Sequence, residues 1–139
     1  MPFRKDAKIE LLRRTPLFSK CSKSELGLIA ALADEIVIPA GRDFIREGER
    51  GREFFAVVEG TVEIRRNGRR VAPKGGAEFF GEIALISAAP RNATVTATSP
   101  VRAFVITERA FSTLLRDSPQ LQLKVLRSLA ERVAQDAPV

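Results

Sequence analysis

Eight of the nine glycines of this 139-residue chain lie between Gly41 and Gly81, and the flanks hold only Gly27. Glycine supplies the turns and bulges that closely spaced strands need. The middle of the chain therefore reads as a run of short strands and the flanks as helices. Glu35–Ile38 is closed by Pro39-Ala40-Gly41, and Asp43–Arg46 by Glu47-Gly48. Phe54–Val58 is apolar throughout, as a core strand is, and Thr61–Ile64 alternates. Asn67-Gly68 between two Arg pairs is a two-residue hairpin signal. Ala93–Thr98 and Val101–Ile106 flank Ser99-Pro100. Strands at this spacing predict a sandwich or barrel.

The flanks carry helix signals. A charged segment over 5–14 reads as a short helix, and Pro16 then breaks it before the apolar Leu17-Phe18. Ser22-Lys23-Ser24-Glu25 has capping-box spacing and opens a helix over 23–33. Thr107 caps a helix over 108–116, and Ser118-Pro119 opens a last one over 119–135. The apolar positions of that last helix span roughly 220°, where a helix lying on its own domain needs little more than about 100°. The width fits a homodimer or effector-domain contact, deep burial, or a neighbour in a further domain. The chain is long enough for one domain. The reading is a single domain over 1–139, with N-terminal helices in 1–33, strands in 34–106 and C-terminal helices in 107–139.

Composition narrows the chemistry. There is no His, so His general bases, Ser-His-Asp and Cys-His pairs and His metal sites are excluded. Cys21 is the lone cysteine, which excludes an intrachain disulfide and any CxxC site. Cys21 stands at a helix start, where a thiol pKa can fall, though most such cysteines are inert. No export signal or membrane span is legible, which makes a reducing cytoplasm the expected compartment. The net charge is +6, and it is spread: 7 basic and 5 acidic residues in 1–40, 9 and 6 in 41–75, 7 and 6 in 76–139. A nucleic-acid reader concentrates its charge on one face, so no direct nucleic-acid contact is expected. Arg65, Arg66, Arg69 and Arg70 crowd one hairpin, but no interleaved aromatic accompanies them to stack bases. A binding module, not an enzyme, is the expected class.

The sharpest local feature runs from Phe80 to Thr94: Phe-Gly-Glu-Ile-Ala-Leu-Ile, then Pro-Arg-Asn-Ala-Thr. Gly81 starts a short apolar helix whose first N–H groups suit an anion. Arg91 can reach back as a bidentate phosphate donor. The Glu82 carboxylate is an acceptor suited to a sugar hydroxyl. The bland alternative is that Glu82 only stabilises the helix start and pairs with Arg91 in a structural salt bridge.

This stretch resembles the phosphate-binding cassette of cyclic-nucleotide-binding domains, as found in catabolite-type regulators, kinase regulatory subunits and cyclic-nucleotide-gated channels. Pro16-Leu17-Phe18, Ile38-Pro39-Ala40-Gly41, Glu47-Gly48-Glu49-Arg50-Gly51 and Phe54-Phe55 with Gly60–Ile64 follow in that family's order. The resemblance covers roughly residues 11–135. It implies a mainly β fold, an eight-stranded β-roll or jelly roll with flanking helices. It implies that Arg91 pairs with the cyclic phosphate, that Glu82 accepts the ribose 2′-hydroxyl, and that Gly81 allows close approach to the sugar. Backbone N–H groups of Ile83, Ala84, Asn92 and Ala93 would add contacts. Gln122, Leu126 and Arg127 are candidates for the lid over the base. The sequence departs from the family at Arg52, where a small polar or acidic residue is common, and at Asn92, where Ala, Ser or Thr is common. A hydroxyl at that position can assist guanine binding, whereas Asn92 can bond either purine, which weakens an argument for cGMP without establishing cAMP; cAMP is the expected ligand with cGMP the alternative. No cofactor is expected. Other readings are the nucleotide-binding part of a catabolite-type transcription factor or of a channel, or a domain kept only for protein interaction.

Overall fold

The computed structural model describes residues 4–71, 79–87 and 89–136. The chain forms two compact units: Ala33–Arg109, and the two flanks up to Leu32 and from Ala110 onward.

The first unit carries eight strands among the described residues: β1 (Asp34–Ile38), β2 (Asp43–Ile45), β3 (Glu53–Glu59), β4 (Val62–Arg66), β5 (Arg69–Val71), β6 (Phe79–Phe80), β7 (Thr94–Ala97) and β8 (Val101–Thr107). They make two four-stranded sheets, ordered β1-β8-β3-β6 and β2-β7-β4-β5. Each pairing is antiparallel; Ile38 faces Val101 across β1 and β8, and Val62 faces Ala97 across β4 and β7. The expected β-roll with flanking helices is the observed architecture.

Alternation sets the core. Ile38, Val57, Ala97, Val101 and Ala103 pack as one cluster, and Ile45, Phe55 and Val95 as another. Phe44 meets Phe55 edge-on with ring centroids 5.3 Å apart, a favoured geometry for aromatic pairs. Phe54, Ala56, Phe104 and Ile106, on the alternate positions of β3 and β8, are buried as well. Burial on both faces explains why Phe54–Val58 reads as a continuous apolar run. The β4–β5 hairpin turns through Asn67 at φ 53° and Gly68 at φ 76°. Two consecutive positive φ values are what a type I′ turn requires, and Asn-Gly supplies them.

In the helical unit, α1 (Lys5–Arg14) leads through a 3₁₀ turn (Pro16–Phe18) to α2 (Lys23–Ala30). The other flank gives α3 (Glu108–Arg116), whose first two residues belong to the strand unit, and α4 (Pro119–Asp136). Leu12, Leu17, Phe18, Leu26, Ile29, Phe111 and Leu121 are fully buried here, with Phe18 and Phe111 rings 5.5 Å apart. The expected helix over 23–33 stops at Ala30, because Asp34 is already paired with Val105 in the sheet. The wide apolar arc of α4 divides: Leu121 and Val125 are buried, while Leu123, Leu126 and Val133 are 45%, 61% and 69% exposed. Deep burial therefore does not account for its width.

The capping box at Ser22 forms as expected. Ser22 Oγ accepts the Glu25 amide at 3.2 Å, and Glu25 Oε1 accepts the Ser22 amide at 2.8 Å. Lys124 of α4 also bonds Glu25 Oε1. Burial pushes the Glu25 carboxyl up, but the bonds from Lys124 and Ser22 outweigh it and hold its pKa below the ordinary value. A depressed carboxyl contributes stability that is present above its unfolded pKa and lost as pH falls through the folded one. Thermal melts should therefore show an acid-labile contribution of about 1 kcal/mol, the size of a cap, lost below the ordinary carboxylate range. Glu25→Gln should lack it, so that its melting temperature differs from wild type at pH 6 and converges with it at pH 3. The neighbouring Cys21 thiol is pushed up to about 11, by burial first and by Glu25 second. It is an inert thiol at neutral pH.

Candidate functional site

After β6 the chain enters Gly81 at φ 81°, then a single 3₁₀ turn, Glu82–Leu85. This corrects the expected helix: four residues sum too few peptide dipoles for a substantial positive end. Ala84 and Leu85 are buried and anchor the turn. The Ala84 amide donates to the Gly81 carbonyl at 3.0 Å, so it is spent inside the turn and is not a free donor for a ligand. Glu82 is half-buried at the head of the turn, and Ile83 is 39% exposed beside it. Ala88, within the cassette, lies outside the described residues.

The return segment is strapped to the loop between β2 and β3. Pro90 bridges Arg50, the Arg91 amide donates to the Glu49 carbonyl at 2.7 Å, and the Gly48 amide donates to the Arg91 carbonyl at 2.8 Å. These bonds fix the backbone of Arg91 and leave its side chain to run inward. The guanidinium lies over two glycines. A Cβ on Gly81 would stand 2.1 Å from Arg91 Nη1, and one on Gly51 would stand 2.8 Å from Arg91 Nε. Only residues without a Cβ make that groove.

Arg91 Nη2 donates to the Glu53 carbonyl at 2.7 Å. Burial lowers the Arg91 pKa from its ordinary value, and the Glu53 carboxylate partly restores it. An arginine remains charged regardless. Among the described residues Arg91 has no ion pair, with Glu82 or any other acid. The structural salt bridge that the spacing allows is therefore not formed. Among the described residues one of the five guanidinium donors is engaged, and a half-buried cation with spare donors suits an anion.

Asn92 is exposed and Ala93 is buried, and neither amide has a hydrogen-bond partner among the described residues. A buried N–H without a partner costs free energy that a ligand acceptor would recover. Arg91, Glu82, Gly81, Ile83, Asn92 and Ala93 thus all lie in the strand unit, Glu82 and Ile83 in the 3₁₀ turn and the others on the segments that flank it. The lid candidates belong to the helical unit. Gln122 Nε2 donates to the Leu115 carbonyl at 2.6 Å and so bridges α4 to α3, while Leu126 and Arg127 are exposed on α4. Sequence reasoning missed the contribution of Gly51 and Glu53. Gly51 stands in a recognisable Gly-Glu-Arg-Gly run, but Glu53 acts through its carbonyl, which every residue type possesses.

The basic hairpin is less free than its sequence suggests. Arg65 Nε and Arg70 Nη2 both meet Glu63, at 2.6 and 3.3 Å. Arg65 bonding first, and both charges after it, hold the Glu63 carboxyl below its ordinary value. Arg66 Nε instead donates to the Asn92 carbonyl at 3.0 Å.

The β-roll thus carries a half-buried guanidinium, Arg91, on the same segment as the Asn92 and Ala93 amides, which have no hydrogen-bond partner among the described residues. The chain belongs to the cyclic nucleotide-binding domain family, whose profile matches residues 35–118. It is 40% identical over 115 residues to a cAMP-dependent protein kinase regulatory subunit of Mycosarcoma maydis, covering 76% of this chain and 22% of that one. It is 34% identical over 123 residues to a cyclic nucleotide-gated potassium channel of Rhizobium etli, covering 88% of this chain and 34% of the channel. The chain thus spans between about a fifth and about a third of the length of these curated relatives. In structure it resembles the N-terminal domain of a transcriptional regulator from Streptomyces coelicolor, with a TM-score of 0.80 and 29% identity over 91% of this chain and 94% of that one. Among the described residues no helix is long and apolar enough to cross a membrane.

Proposed function

We propose that this chain is a non-catalytic cyclic nucleotide sensor that binds cAMP in preference to cGMP and passes occupancy to its C-terminal helices. The observation that carries the reading is the Arg91 guanidinium, half-buried between Gly51 and Gly81, with the Glu53 carbonyl as its hydrogen-bond partner and no ion pair among the described residues. The cyclic phosphate takes its spare donors and the Asn92 and Ala93 amides. Glu82, at the head of the turn, accepts the ribose 2′-hydroxyl. The preference for cAMP is supported by the 40% identical relative, which is named for cAMP, and by Asn92, which replaces the hydroxyl side chain that can assist guanine.

The strand unit supplies a route for the signal. Residues 51–53 touch Arg91 on one side, through Gly51 and the Glu53 carbonyl. On the other side the Arg52 carbonyl accepts the Glu108 amide at 2.8 Å, at the first residue of α3. β8 runs into α3 without a loop. A phosphate that re-seats Arg91 therefore acts on a segment bonded to the start of α3. We read the response as a population shift in which α3 and α4 are the output.

Isothermal calorimetry on the purified chain tests this. The expected result is one site with a micromolar Kd for cAMP, about 8 kcal/mol, and weaker binding of cGMP. No heat with either nucleotide at millimolar concentration would end the sensor reading. Tighter binding of cGMP would reverse the assigned preference.

A further inference from the structure

We propose that Arg66, on the β4–β5 hairpin, is a positioning residue for the anion site: it orients the peptide that presents the Ala93 amide. The inference rests on the nucleotide reading above and adds a residue outside the cassette. β4 pairs with β7 as far as Arg65 opposite Thr94, so the next residue, Arg66, falls beside the chain just before β7. Its Nε donates to the Asn92 carbonyl at 3.0 Å.

The peptides are trans, so an N–H points away from the carbonyl of the same peptide unit. Two successive units are clamped by their carbonyls. Gly48 N–H holds the Arg91 carbonyl at 2.8 Å, and Arg66 holds the Asn92 carbonyl at 3.0 Å. The paired N–H groups, those of Asn92 and Ala93, are the two that lack a partner among the described residues. Clamping each carbonyl from outside aims the amide the other way and polarises it as a donor.

The hairpin is itself fastened to the same region. Glu47 Oε1 accepts the Asn67 amide at 2.9 Å, and the Glu47 amide donates to Thr94 Oγ1 at 3.0 Å. Arg66 therefore arrives on a braced turn. Arg66 is exposed, so its replacement leaves the core intact. Arg69, directly across the hairpin from Arg66, is exposed too and offers a charge-matched control.

Calorimetric titration of the full chain with cAMP, for wild type, Arg66→Met, Arg66→Lys and Arg69→Met, tests the assignment. Arg66→Met should weaken binding about tenfold, or about 1.4 kcal/mol. Arg66→Lys, which keeps a cationic donor, should recover to within about threefold of wild type. Arg69→Met should stay within about twofold. In the ligand-free protein the Ala93 amide resonance should shift in Arg66→Met and hold its place in Arg69→Met, which a general charge effect would not produce. Wild-type affinity in Arg66→Met, or equal losses in the two Met variants, would overturn the proposal while leaving the nucleotide reading standing. A wild-type chain that binds neither cAMP nor cGMP would overturn both.

Discussion

Arg91→Ala is expected to weaken cyclic nucleotide binding at least about a hundredfold, about 2.7 kcal/mol, while leaving the ligand-free fold nearly as stable as before. The two halves of that expectation have different origins. Binding loses a charge-assisted, bidentate contact to phosphate, the strongest single interaction the site offers. Stability loses little, because in the ligand-free chain the guanidinium has been partly desolvated for one carbonyl contact, at Glu53, and no ion pair among the described residues. Burial already disfavours its charged form. Arg91→Lys should fall between, since an ammonium keeps the charge but lacks the planar fork. Calorimetry gives the affinities and a thermal melt gives the stabilities. A loss of under about fivefold in Arg91→Ala would place the phosphate elsewhere. A melting temperature lowered by more than about 10 °C would make Arg91 a structural residue instead.

Legibility in the sequence followed the range of the interactions. β1, β3, β7 and β8 were readable because alternation and the flanking Gly and Pro residues are local signals. The hairpin at Asn67-Gly68 and the capping box at Ser22 were readable for the same reason. The two-residue β6 strand was not, because Phe79-Phe80 is too short to show a period. The apolar run after Gly81 read as a helix and forms one 3₁₀ turn, since an apolar stretch alone does not set its own length. Arg91 and Glu82 were legible as residue types in a known order. What seats Arg91 was not: a glycine eighty-one positions along and another at fifty-one flank the same side chain, and a carbonyl at Glu53 receives it. Arg66 reaches Asn92 across twenty-six positions, a contact the register of β4 against β7 creates and no local pattern announces.

Gly81→Ala should be nearly as damaging to binding as the loss of Arg91, and it should also cost stability. Gly81 sits at φ 81°, a region where a Cβ costs roughly 1–2 kcal/mol. The added methyl would stand 2.1 Å from Arg91 Nη1 and 2.8 Å from the Glu53 carbonyl oxygen. The backbone oxygen is the less movable of the two, so Arg91 must leave its groove and its bond to Glu53. We expect affinity to fall about thirtyfold or more and the melting temperature to drop by several degrees, about 2 kcal/mol. Gly41→Ala separates the two causes. Gly41 has a similar φ of 88° but nothing within 4 Å of its would-be Cβ, so it should show the strain without the loss of affinity. The double variant Gly81→Ala, Arg91→Ala completes the test through non-additivity. If the methyl acts by expelling Arg91, removing Arg91 as well should leave affinity close to that of Arg91→Ala alone. Additive losses would show that Gly81 serves the ligand directly, through the close approach of its own backbone, and not through the arginine it makes room for.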